Sequence, residues 1–240
     1  MEHGSAPPDA SVRAEPPLAE MHRRAEELVA SGSRRILGIT GPPGAGKSTV
    51  CRSLLQHLGS QAVVVEMDGF HLADAELERL GRRQRKGAPD TFDVSGCAAL
   101  LSRLREQPEP VVYAPRFDRG LEAAIAGSTP VARDVPLVIT EGNYLLHDQD
   151  GWEQISALLD ECWFLDVPPS ERERRLVERR LMHGDDPEHS RHWVTTVDQV
   201  NGQLGSRGPG AQQGCAPRDS GARLRRSDGR GAWTCPPAVR

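Results

Sequence analysis

The chain has 240 residues, with 30 Lys and Arg against 34 Asp and Glu and a formal net charge of −4. That length suits one α/β domain with a sizeable core, and the slight acidity gives no electrostatic case for nucleic acid or an anionic membrane as partner. No run of 18 apolar residues suggests a membrane span, and the N-terminus lacks the apolar centre of a signal peptide. Cys51, Cys97, Cys162, Cys215 and Cys235 form no C-x-x-C pair, so reduced thiols in a cytoplasmic protein are expected.

Residues 1–16 are rich in Pro, Ala and Glu and are expected to be disordered. Residues 17–30 carry Leu18, Met21, Ala25 and Leu28 at a helical period, which predicts a helix on the outside of the domain. Residues 34–40 (RRILGIT) read as a buried strand. The chain then passes through Gly41-Pro42-Pro43-Gly44-Ala45-Gly46-Lys47-Ser48, followed by Thr49 and a helical pattern over 48–58.

The spacing G-x-x-x-x-G-K-[ST] between strand and helix is that of a phosphate-binding loop. Glycines let successive N–H groups turn toward a polyphosphate, and the helix start adds its dipole and unpaired donors. Lys47 is expected to reach the outer phosphates and the Ser48 hydroxyl to ligate Mg²⁺. The only lysines in the chain are Lys47 and Lys86.

Residues 62–67 (AVVVEM) predict a strand covered on both faces. It delivers Asp68-Gly69-Phe70-His71 to the crevice where a βαβ unit places its ligands. A carboxylate there could accept the proton of an attacking hydroxyl, and a turn-capping aspartate is the plainer alternative. A short helix is expected over 73–80, a basic Gly- and Pro-containing loop over 81–93 and an amphipathic helix over 94–106. A short strand-like piece at 111–113 precedes the segment Pro115–Arg119 (PRFDR). Another buried strand, 137–140 (LVIT), delivers Glu141-Gly142-Asn143-Tyr144. Glu141 could hold the Mg²⁺ shell directly or through water, or could be an ordinary salt-bridged glutamate.

Helix is expected over 152–159, strand over 162–167 and helix over 169–182 and 186–197. Strands alternating with helices predict an open parallel sheet wrapped on both faces. Arg172, Arg175 and Arg179 fall on one face of the 169–182 helix. They could neutralise charge on a transferring phosphoryl group, but the interleaved Glu171, Glu173 and Glu178 favour a solvated, salt-bridged face. Residues 201–240 hold eight Gly and seven Arg, no Lys and no Glu. Ordering forty residues costs on the order of 60 kcal/mol, and three aliphatic side chains return about 2 kcal/mol each. Disorder is therefore expected there, and a shifted reading frame would explain so abrupt a change.

Phosphate loop, M-D-G-F-H, K-G-x-P-D-T-F-D, P-x-F-D-R, V-I-T-E-G-N-Y and an Arg-rich helix follow one another in this order. The set resembles the superfamily of uridine kinase, bacterial pantothenate kinase and phosphoribulokinase, in a nucleoside- or sugar-kinase-like branch. The resemblance covers roughly residues 34–201. It implies a three-layer P-loop NTPase fold over residues 17–200, with a five-stranded parallel sheet of which four strands are evident here. The implied cofactors are ATP and Mg²⁺, and the implied partner is a small-molecule hydroxyl acceptor: nucleoside, sugar or pantothenate-like.

Residue by residue, the resemblance makes Asp68 the catalytic base. It puts Lys86, Asp93, Tyr113, Arg116, Phe117 and Arg119 near the acceptor. It also makes Glu141 a metal- or substrate-facing acid, sets Asn143 and Tyr144 beside the acceptor, and makes Arg175 and Arg179 lid arginines that close over ATP. His71 could hydrogen-bond a substrate hydroxyl or merely stabilise its turn. A GTPase would need N-K-x-D, which the two lysine positions forbid. A non-catalytic nucleotide-binding regulator remains the alternative from another functional class. The sequence leaves the oligomeric state open, a homodimer included.

Overall fold

A computed structural model describes residues 18–182, 184–188 and 194. After α1 (Leu18–Val29) come β1 (Arg35–Thr40), α2 (Lys47–Leu58), β2 (Ala62–Glu66), a 3₁₀ turn (Met67–Phe70), α3 (Asp74–Arg79) and α4 (Val94–Arg105). The chain continues through β3 (Val111–Asp118), β4 (Ala123–Ala132), β5 (Leu137–Gly142), α5 (Glu153–Ser156), β6 (Glu161–Phe164) and α6 (Pro169–Met182). Four strands form a parallel sheet in the order β2-β5-β1-β6. The phosphate-loop strand β1 is thus central, as two-sided burial of its apolar run requires.

Alternation along the strands divides the core into two layers. Ile36, Val65 and Val138 face a cluster that holds α4 and the aromatic side chains Phe92, Tyr144 and Trp152. Leu37, Ile39, Leu137 and Ile139 face the other way, onto Met21 and Leu28 of α1 and Leu54 and Leu58 of α2. The sheet edge is fastened by charge. Glu161 at the start of β6 is 1% exposed and takes a forked contact from Arg24 of α1, with Nη2–Oε2 at 2.7 Å. The indole N–H of Trp163 donates to the other oxygen of the same carboxylate at 2.8 Å.

The main departure from the sequence expectation lies between α4 and β5. The short strand expected over 111–113 is the first part of an eight-residue strand, which pairs antiparallel with the unexpected ten-residue β4. This two-stranded hairpin is separate from the parallel sheet. A bulge between Ala114 and Arg116 bends β3 at Pro115. Its bent part lies on the 3₁₀ turn: a Cβ placed on Gly69 would stand 2.6 Å from the Pro115 carbonyl oxygen.

Smaller differences are also seen. Of the helix expected over 152–159, only Glu153–Ser156 is helical, and β6 ends at Phe164 rather than at residue 167. The expectations for residues 1–16 and 201–240, and most of the helix expected over 186–197, fall outside the described residues. Among the described residues the sheet has four strands.

Candidate active site

β1 hands the chain to the glycine loop at the carboxyl edge of the sheet. Gly46, the N-cap of α2, has φ 91, a left-handed conformation that a side chain would strain. The first turn of α2 therefore begins abruptly, with its unpaired N–H groups at the loop. The Lys47 ammonium donates to the Gly41 carbonyl at 2.9 Å, the Pro42 carbonyl at 3.2 Å and Oδ1 of Asn143 at 2.6 Å. Burial pushes its pKa below the ordinary value, while Glu141 and Asp68 pull it back.

β5 ends beside the loop and delivers Glu141. The Ser48 hydroxyl donates to its Oε1 at 3.4 Å. Burial pushes the Glu141 carboxyl up to about 7, opposed by Lys47 and reinforced by Asp68 and Glu66. Hydroxyl and carboxylate oxygens side by side suit a hard divalent cation that keeps phosphate and water as its other ligands. Among the described residues no group of three or more His, Cys, Asp or Glu could hold a metal alone. A cation here would accordingly rest on Ser48, Glu141 and phosphate oxygens.

β2 leads into the 3₁₀ turn and puts Asp68 on the same cleft. This cleft, about 420 Å³, is lined by the loop, Lys47, Ser48, Asp68, Glu141 and Asn143 among others. Asp68 and the phosphate loop thus line one space. His71 fixes this turn. Its Nδ1 lies 2.8 Å from the Asp68 carbonyl oxygen, so in the neutral ring Nδ1 carries the proton and Nε2 is left as an acceptor. The ring packs between Phe92 (centroids 4.1 Å apart) and Phe117 (4.9 Å).

Lys86 also lines the cleft. It is clamped to Asp74 Oδ1 at 2.7 Å and to the Glu122 carbonyl at 2.6 Å, which ties the 81–93 loop to the hairpin tip. Arg175 and Arg179 reach the cleft from α6. Arg175 Nε donates to Glu171 at 2.8 Å, and Arg174 bridges Glu171 and Glu178. The helix is thus salt-bridged along its surface while Arg175 and Arg179 also line the cleft.

A second recess of about 510 Å³ opens under the hairpin and shares Ser48, Asp68, Arg119 and Glu141 with the first. Arg116 and Phe117 line it, and the Arg119 guanidinium stands 3.9 Å from Asp68 Oδ2.

Three of the expected acceptor residues stand elsewhere. Asp93 caps α4, accepting from the Gly96 N–H at 2.8 Å. Tyr113 is 60% exposed at an outward position of β3 and lines neither cavity. Tyr144 is fully buried; its hydroxyl donates to the Gly87 carbonyl at 2.7 Å, so it shapes the cleft wall from behind. Several lining residues escaped the sequence reading, Phe92 and Glu66 among them. Phe92 lies within the quoted K-G-x-P-D-T-F-D stretch, so a signal was there. Glu66 sat inside what read as an apolar strand, and only its register opposite Glu141 reveals it.

Residues 36–170 match the model of the family described as Phosphoribulokinase / Uridine kinase. A Schizosaccharomyces pombe protein provisionally named a uridine kinase is 32% identical over 174 residues, covering 69% of this chain and 74% of that one. A pantothenate kinase of Leifsonia xyli is 27% identical over 158 residues, 62% of this chain and 48% of that one. Among solved structures, one from Silicibacter sp. TM1040, provisionally named a fructose transport system kinase, superposes with a TM-score of 0.72 at 38% identity, covering 78% of this chain and 93% of that one. Sequence, architecture and cleft agree, and the chain belongs to the phosphoribulokinase / uridine kinase family.

Proposed function

We propose that this protein is an ATP-dependent kinase that transfers a phosphoryl group to a hydroxyl of a small molecule, with a nucleoside, a sugar or a pantothenate-like compound as the candidate acceptor. One observation carries the reading: Asp68 and the phosphate loop line one cleft, which continues into the recess under the hairpin. Bound ATP supplies the phosphoryl group. Gly41 to Thr49 would hold its phosphates, with Ser48 and Glu141 holding Mg²⁺.

The chain's own residues do the rest. Asp68 accepts the proton of the acceptor hydroxyl and aims its oxygen, a role that matters more for orientation than for basicity in a loose transition state. Lys47, held by Asn143, offsets negative charge at the phosphates. Arg175 and Arg179 add positive charge from α6, and that helix also helps to keep water out. Neutral His71 offers Nε2 to an acceptor hydroxyl, while Arg116, Phe117 and Arg119 flank the acceptor side. Lys86 acts at one remove by holding the hairpin tip.

The test is ADP release from Mg·ATP against a panel of nucleosides, sugars and pantothenate. Release stimulated by one acceptor class, and lost in Asp68→Asn, supports the kinase. Nucleotide binding without stimulation by any acceptor favours a non-catalytic nucleotide-binding regulator.

A further inference from the structure

The recess under the hairpin has an uneven distribution of charge. Glu66, Asp68, Asp118 and Glu141 line it against Arg116 and Arg119. The two arginines stand at exposed positions, whereas Glu66 is part-buried at the end of β2, in register with Glu141. No hydrogen bond or ion pair among the described residues engages the Glu66 carboxylate. Arg116 and Arg119 act on it through space, opposed by Asp68. Asp118 already accepts from the N–H groups of Gly120 and Leu121. Ser128 from β4 also lines the recess, its hydroxyl donating to the Ile125 carbonyl at 2.8 Å.

The burial gradient decides which charge a ligand feels. Exposed guanidinium groups are screened by water and salt, and a part-buried carboxylate is screened less. An acceptor bearing a carboxylate or phosphate would enter against this field, whereas a neutral acceptor with several hydroxyls would meet oxygens in need of donors. The one aromatic ring among the lining residues, Phe117, already carries the Lys86 ammonium 5.4 Å from its centroid and has His71 against it. That leaves a planar base little surface on which to stack.

Building on the kinase reading, we infer that this recess selects an uncharged polyol of the sugar class, and that Glu66 is a specificity-determining residue that accepts hydrogen bonds from acceptor hydroxyls other than the one phosphorylated. Asp68 serves the reacting hydroxyl; Glu66 serves its neighbours.

The experiment pairs binding with turnover. Thermal shift and calorimetry, with Mg·ADP present, are run with fructose, uridine, pantothenate and D-glycerate, followed by steady-state kinetics on the same set. The wild type is expected to prefer the neutral sugar. In Glu66→Gln and Glu66→Ala the sugar KM should rise about ten- to a hundredfold, the loss of a charge-assisted hydrogen bond. Nucleotide affinity should stay within about threefold and kcat should change less than KM. Glu66→Gln keeps the size of the side chain and so separates the lost charge from misfolding. Phosphorylation of pantothenate or D-glycerate in preference to the sugar, or an unchanged sugar KM in both variants, overturns the inference and leaves the kinase intact. Binding of none of the four compounds overturns it as well. Sugar binding weakened by the variants but without turnover sustains this inference and overturns the kinase reading.

Discussion

The floor and the roof of the site are made differently. The floor is the carboxyl edge of a parallel sheet, where β1, β2 and β5 end side by side and present the glycine loop, Asp68 and Glu141. Its positions follow from backbone register and from two buried faces. The roof is an antiparallel hairpin outside that sheet, with mostly exposed or half-exposed side chains and a bulge resting on Gly69. A floor so constrained suits chemistry shared by every substrate. A roof that buries only Val112, Ala114 and Val131 can vary its other side chains without loss of the fold, which suits it to share the choice of acceptor with Glu66 at the floor's edge.

The largest effect expected from breaking this division lies in the floor. Lys47→Met should lower turnover by about 10²–10³, the scale of losing one transition-state donor, while far-ultraviolet dichroism stays native. Turnover within a few-fold of wild type would place the chemistry elsewhere. At the joint between the two regions, Gly69→Val puts a side chain where Pro115 lies and should cost about 1–3 kcal/mol of stability. It should also raise the acceptor KM with nucleotide Kd nearly unchanged. Equal damage to both would mean that floor and roof are one unit.

Away from the site, Arg24→Ala strands the buried Glu161 carboxylate and should cost about 3 kcal/mol in urea unfolding. The folded fraction should keep its kcat.

The smallest effect is one of pH. Burial pushes His71 below its ordinary value of 6.5, with Asp68 opposing. Protonation therefore favours the unfolded chain. The stability that neutral His71 provides is fully present above the unfolded value and is lost as pH falls from there through the folded value. Tm measured from pH 7.5 to 5 should decline less steeply in His71→Asn than in the wild type; parallel curves would remove the histidine from the account.

The same division explains what could be read from the residues alone. The floor announces itself: apolar runs such as LVIT can only be buried strands, and G-x-x-x-x-G-K-[ST] needs a strand before it and a helix after. The roof does not. β4 (AAIAGSTPVA) is mostly exposed or half-exposed and contains Gly127 and Pro130, so neither a continuous apolar run nor clean alternation marks it. Tyr113 and Asp93 belong to stretches that resemble the family, but a motif does not say which way a side chain points. Strand alternation turns Tyr113 outward, and the start of α4 claims Asp93 as its cap. Glu66 illustrates the opposite case: the apolar run around it made it an interior strand position, and only its register with Glu141 shows that the carboxyl edge of the sheet has been reached.

The central claim is that one carboxylate on the floor serves the acceptor while the loop beside it holds the nucleotide. Rapid-quench measurement of label transfer from γ-labelled ATP to a productive acceptor, in wild type and Asp68→Asn at saturating nucleotide, tests it most directly. The account predicts transfer slower by about 10²–10⁴ in the variant with nucleotide Kd within about threefold. Transfer at an undiminished rate in Asp68→Asn would contradict it.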